Sequence, residues 1–163
     1  MENLFATWSP DREIVLVKLL NHPRTKVFAA WMDPDALAAW YGPTDLRIET
    51  HEADIQEGGL WRFDMVGMFE GQERRFPNLM RFLEIVPRER IVMDYGTPDP
   101  DDPDRFRMMV TFDEQGDGKT VLTLRQLHPT RARRQAVIGF GAVEYGLQTL
   151  AGLAAWLDRR ALA

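Results

Sequence analysis

The residues able to do chemistry in this chain of 163 are few, and they are scattered. There is no cysteine, which removes thiol nucleophiles, thiolate metal sites and disulfides together. The three histidines are His22, His51 and His128. His22 stands directly before Pro23, where a capping or solvent-facing role suits a helix start. His51 and His128 fall in strands or at their ends, with no carboxylate spaced as a metal partner on the same element, so no metal is expected. Asp99, Asp101, Asp102 and Asp104 superficially suggest a calcium loop. Interleaved prolines, a missing central glycine and a missing terminal glutamate point instead to a solvated loop. Arg131, Arg133 and Arg134 make one basic patch without a helix-turn-helix pattern, and nucleic acid is not an expected partner. Glu144 sits within a helical pattern. Facing inward, it is a buried carboxylate of raised pKa that could serve as acid or base; facing outward, it pairs with Gln148 one turn on. Glu144, His128 and Tyr95 are the catalytic candidates, and their spacing forms no recognisable triad or dyad.

Bulk properties narrow the setting. A net charge of −5, with 45% hydrophobic and 28% charged residues, describes a water-soluble globular domain without affinity for anionic surfaces. The first ten residues lack the basic and apolar segments of a signal peptide. No apolar run approaches the ~20 residues that a membrane span needs, and a cytoplasmic location is expected. Five tryptophans and eight methionines hint at an adaptable apolar interior.

The elements that position these residues follow from periodicity. Residues 12–20 are aliphatic and predict a first strand. Pro23 and the Asp33-Pro34 pair start two short helices, with Val27, Phe28 and Trp31 on one face and Leu37, Trp40 and Tyr41 on the next. Gly42-Pro43 ends the second. About six strands follow. A phase change near His51 predicts a bulge, Trp61, Phe63 and Met65 share a face, and Ile91, Met93 and Tyr95 share another. The strand over 75–85 is apolar on both faces and its phase stays open. Phe106, Met108, Val110 and Phe112 alternate, and a Gly-Asp-Gly turn leads to Leu122, Leu124, Gln126 and His128. Arg62, Asp64, Arg107 and Arg125 fall on the outer face.

From Arg131 to Ala161 the spacing predicts one long helix, with Ala136, Phe140, Val143, Leu147, Leu150, Ala154 and Leu157 in a stripe. Beside it run Gly139, Ala142, Gly146, Thr149, Leu153 and Trp156. Glycine within a helix costs about 1 kcal/mol relative to alanine. Gly139, Gly141, Gly146 and Gly152 therefore imply either close helix-to-sheet packing or room for a ligand. A sheet of this size must cover its apolar face, and this helix is long enough to do so. Phasing makes Trp40, Tyr41, Trp61, Phe63, Met65, Met93, Tyr95, Met108, Val110, Leu122, Leu124, Phe140 and Val143 the lining of the space between them, either as a ligand pocket or as plain core.

Several stretches together resemble a known family. His22-Pro23-Arg24, Val27-Phe28, Trp31, Asp33-Pro34, Leu37, Trp40 and Gly42-Pro43 match its N-terminal pattern. Residues 58–63, 82–90 and 120–124 match its middle, and Gln148-Thr149-Leu150 with Leu153 and Leu157 its terminal helix. This is the heat-shock-protein-90 ATPase activator homologue group of the START-like, polyketide-cyclase-related superfamily. The resemblance covers residues 12–158. It implies an α+β helix-grip fold in one domain over 1–163, with residues 1–10 as an N-terminal segment: a curved antiparallel sheet of six or seven strands around a long C-terminal helix. It also implies a cavity between the sheet and that helix. With the small helix face set against an aromatic, Met-rich sheet, the expected function is binding of a small apolar or amphipathic ligand there, and no cofactor is expected. Fold alone does not decide among binding, catalysis and protein interaction. A cyclase-like or hydrolase-like enzyme and an interaction module are the alternatives, and a homodimer stays open. A chaperone partner is not expected, because the additional N-terminal domain of the co-chaperones has no counterpart in this sequence.

Overall fold

A computed structural model describes residues 9–162. Most of the N-terminal segment expected at 1–10 lies outside them. Seven antiparallel strands form one sheet in the order β1-β7-β6-β5-β4-β3-β2. They are β1 (Glu13–Leu20), β2 (Arg47–Ala53), β3 (Leu60–Phe69), β4 (Gln72–Val86), β5 (Arg90–Gly96), β6 (Phe106–Gln115) and β7 (Lys119–Leu127). Strands β1 and β2 are consecutive in sequence yet occupy opposite edges. The helices α1 (Arg24–Met32) and α2 (Pro34–Trp40) make that crossing. Asp33 caps α2 as expected, its carboxylate accepting from the Asp35 amide at 3.0 Å. The curved sheet, the paired short helices and the C-terminal helix form an α+β helix-grip fold.

Two bulges re-aim side chains. The β2–β3 register shifts between Thr50 and Glu52, so the expected break at His51 is present. A second shift, between Phe82 and Glu84, explains why the strand over 75–85 could not be phased. Asn78, Met80 and Phe82 face the interior, Leu83 is exposed, and Ile85 then returns inward opposite Ile91. Alternation of period two cannot survive an inserted residue.

The long helix predicted over 131–161 is instead two helices, α3 (Arg131–Gly139) and α4 (Ala142–Ala161), bent by 68°. The break has a local cause. Gly141 has φ +96°, in the left-handed region, and its amide turns back to the Ile138 carbonyl at 3.1 Å while its own carbonyl starts α4. The change of direction alters which stripe is buried. Phe140, expected to face the sheet, is 72% exposed, and Leu147 is exposed as well. Thr149, Leu150, Leu153 and Leu157 carry the buried face of α4.

The glycines divide by purpose. A Cβ on Gly146 would lie 2.4 Å from Leu16 Cδ1 on β1, and one on Gly152 would lie 2.8 Å from the Trp40 carbonyl oxygen at the end of α2. These two let α4 approach the sheet and α2 closely. Gly141 makes the bend, and a Cβ on Gly139 would meet nothing within 4 Å. A substitution series should separate these roles. Gly152→Ala meets rigid backbone and should destabilise by about 2 kcal/mol. Gly146→Ala meets the tip of the buried Leu16 side chain, which can give more readily than backbone, and should cost about 1 kcal/mol. Gly139→Ala should stabilise by about 0.5 kcal/mol. Urea denaturation midpoints of the three variants check this order.

The outer face of the sheet is largely charged. Arg75 pairs with Glu49, Arg107 Nε donates to Asp94 Oδ1 at 2.6 Å, and Arg125 lies 3.5 Å from Glu13. Strand β1 departs from this pattern, exposing Val15, Val17 and Leu19.

Candidate functional site

The interior between the sheet and the helices contains most of the residues expected to line it. Trp61, Phe63, Met93, Val110 and Leu122 are 0% exposed, so at these positions side chain packs directly on side chain. Trp40, Tyr41, Tyr95, Met108 and Leu124 are also buried, whereas Met65 and Val143 are half-buried against the core. Phe140 is not part of this surface. Tyr95 and His128 are buried, whereas Glu144 is exposed on α4. Its neighbour Gln148 accepts a hydrogen bond from the Thr44 amide at 3.1 Å through Oε1.

Ring contacts run unbroken across the interior. Trp31 and Trp40 meet edge to face at 4.9 Å between centroids, and Tyr41 touches both. Tyr41 then meets Trp61 and Phe63, which stack at 3.8 Å. From Phe63 the path passes to Tyr95, which stacks on Phe106 at 5.1 Å, and Phe106 lies 4.7 Å from the His128 ring. Such contacts add about 1 kcal/mol each beyond area burial. The helix end of this path is closed. At the other end Phe106, Asn78 and Gln126 are only half-buried.

Polar groups are concentrated toward that second end. Tyr95 Oη donates to Asn78 Oδ1 at 3.0 Å, and Tyr41 and Tyr95 are close enough to influence each other's ionisation. Burial raises the pKa of both phenols, so both stay protonated. His128 Nε2 lies 3.0 Å from Gln126 Oε1. The His128 backbone is fixed from both sides, its amide donating to the Arg12 carbonyl at 2.9 Å and its carbonyl accepting from Arg12 Nε at 2.9 Å. Arg134 Nε donates to the Glu13 carbonyl at 2.7 Å and holds α3 close to this corner.

Burial, aided by the Arg133 and Arg134 charges, depresses the His128 pKa to about 4. The sign of the pH effect follows. The unfolded chain takes up this proton near the usual 6.5, and the folded chain only near 4. His128 therefore contributes stability that is fully present above pH 6.5 and is lost as pH falls toward 4. The full effect is about 3 kcal/mol. Chemical denaturation from pH 7 to 4 should show this loss, and a His128→Phe variant should lack that component.

The Tyr95 and His128 candidates thus lie on the same side of the sheet, with the Phe106 ring between them. Neither forms a nucleophile–base pair. A neutral imidazole and two protonated phenols suit orientation of a bound molecule better than proton transfer. Trp31, Asn78 and Phe106 were not anticipated as site residues. Phe106 shared the alternation of Met108 and Val110 and was within reach of sequence reasoning, whereas the bulge at Leu83 concealed Asn78.

These features define a helix-grip domain with an aromatic interior. A model of the activator of Hsp90 ATPase homolog 1-like protein family matches residues 21–158, and the chain belongs to that family. No curated protein matches it. Among solved structures, a Chromobacterium violaceum protein is 27% identical, with a TM-score of 0.70, over 88% of this chain and 95% of that one. A Nitrosomonas europaea protein is 20% identical with a TM-score of 0.82, covering 96% of this chain and 100% of its own. A Mycobacterium smegmatis protein is 19% identical with a TM-score of 0.80, covering 92% of this chain and 93% of that one. The last two show the fold alone. No single described helix is long and apolar enough to cross a membrane.

Proposed function

We propose that this domain binds a small apolar or amphipathic molecule between the sheet and its C-terminal helices. The ligand sits at the end of the interior where Phe106, Asn78 and Gln126 emerge from the core. The observation that carries this reading is the placement of hydrogen-bonding groups at the end of a continuous aromatic surface. Tyr95, Asn78, Gln126 and His128 lie beside Phe106, and an apolar wall with a few convergent polar groups is the usual makeup of a small-molecule site. Solid packing around Trp61, Phe63 and Leu122 supports a site confined to this end rather than one running the length of the sheet. Catalysis draws less support, because Glu144 is exposed on the surface of α4 and the His128 imidazole is too weak a base near pH 7.

Thermal denaturation tests the proposal directly. With medium-chain alcohols, fatty acids and fused-ring aromatics at about 100 times their Kd, binding contributes about 2.7 kcal/mol. For a chain of this size that raises the midpoint by about 5–10 °C. A broad panel that leaves the midpoint unchanged would overturn it.

A further inference from the structure

His128 is 2% exposed, yet its Nδ1 has no hydrogen-bond partner among the described residues. Its other nitrogen faces Gln126 Oε1, an acceptor, so the ring proton sits on Nε2 and Nδ1 presents a lone pair. A buried acceptor without a donor costs about 1–3 kcal/mol, and such atoms call for an explanation. Arg133 supplies a second unsatisfied atom in the same corner. Its Nε is buried without a hydrogen-bond partner, lying 3.6 Å from Asp104 Oδ1, beyond bonding length. Phe106, held between the Tyr95 and His128 rings and only half-buried, gives this corner an apolar edge beside the imidazole.

Resting on the binding site proposed above, we propose that this corner recognises a hydroxyl group on an apolar ligand. The hydroxyl donates to His128 Nδ1, its oxygen accepts from the Arg133 side, and the apolar body lies along the Phe106 edge. The alternatives fit less well. An ammonium group would meet the charges of Arg133 and Arg134. A carboxylate has no proton to offer Nδ1 at neutral pH, and an ether cannot donate. Nδ1 is covered in this structure, so the proposed binding requires a local opening at α3. That helix buries no residue completely and ends at the Gly139–Gly141 bend.

The test compares 2-naphthol, 2-methylnaphthalene and 2-naphthoate by quenching of tryptophan fluorescence, on the intact chain and on His128→Phe. That substitution keeps a ring and removes the acceptor. The preference for 2-naphthol over 2-methylnaphthalene should be about tenfold larger in the intact chain than in the variant. An equal preference in both overturns the hydroxyl site and leaves ligand binding standing. Binding of neither naphthol nor methylnaphthalene overturns the hydroxyl site, and the broad thermal-denaturation panel then decides ligand binding separately. Tighter binding of 2-naphthoate than of 2-naphthol overturns the assignment to a hydroxyl. Should His128→Phe fail to fold, nitrogen NMR of the ¹⁵N-histidine-labelled intact chain decides. The His128 Nδ1 resonance should move with 2-naphthol and not with 2-methylnaphthalene, and an unmoved resonance at saturation overturns the proposal.

Discussion

Gly59→Ala should be the most damaging single-methyl addition in this domain. An alanine Cβ there would lie 2.0 Å from the Asp54 carbonyl oxygen, a backbone atom with little freedom to retreat. The surrounding connection is closed by hydrogen bonds on every side. The Asp54 amide donates to the Leu60 carbonyl at 2.7 Å and the Gly59 amide to Gln56 at 2.8 Å. Gly58 and Gly59 also exchange bonds with Phe82 at 2.9 and 3.0 Å, tying the turn to β4. Relieving the clash means opening several of these at once. The expected cost is about 4 kcal/mol or more, a large share of the 5–15 kcal/mol that typically stabilises a domain. Gly58→Ala is the control. Its Cβ meets nothing within 4 Å, and only the left-handed φ of +81° opposes it, a cost of about 1–2 kcal/mol. Urea midpoints compare the two, and an equal effect would refute the steric explanation.

Trp61→Ala should destabilise by about 3–5 kcal/mol. The side chain is wholly buried, stacked on Phe63 and in edge contact with Tyr41, and its Nε1 donates to Thr50 Oγ1 at 3.1 Å. The helices α1 and α2 bring Tyr41 and its tryptophan neighbours to one side of this ring and β4 brings Met80 opposite it in register, so no single element can collapse into the gap. Denaturant unfolding should show a lower midpoint with an unchanged slope. A loss below 1 kcal/mol would mean that the interior around Trp61 is loosely packed, contrary to the solid core described here.

The fold was legible because the informative signals were local and repeated. Pro23, Asp33-Pro34 and Gly42-Pro43 marked the short helices, and alternation through Phe106–Phe112 and Leu122–His128 marked a hairpin with its inner face assigned correctly. The long C-terminal helix is present as α4, and only its continuity back to Arg131 fails, for a physical reason. The stripe through Ala136, Phe140, Val143 and Leu147 fits an uninterrupted helix, and periodicity carries no information about a single residue in the left-handed region. Gly141 alone turned Phe140 outward. The glycine content posed the right question, and the answer differs by position: packing at Gly146 and Gly152, bending at Gly141. At the site, Tyr95 and His128 could be placed on the inner face by alternation. Their juxtaposition across Phe106 depends on the register of β5, β6 and β7, which no local pattern encodes.

Methionine methyl NMR tests ligand binding within the grip most directly. Met80 and Met108 lie on the inner face beside Tyr95 and Gln126, while Met68 is exposed on the β3–β4 hairpin and Met109 faces outward. On titration with decanol, the ¹³C-methyl resonances of Met80 and Met108 should shift and saturate while those of Met68 and Met109 stay in place. Shifts confined to Met68 or Met109, or none at all, would contradict a ligand site between the sheet and its C-terminal helices.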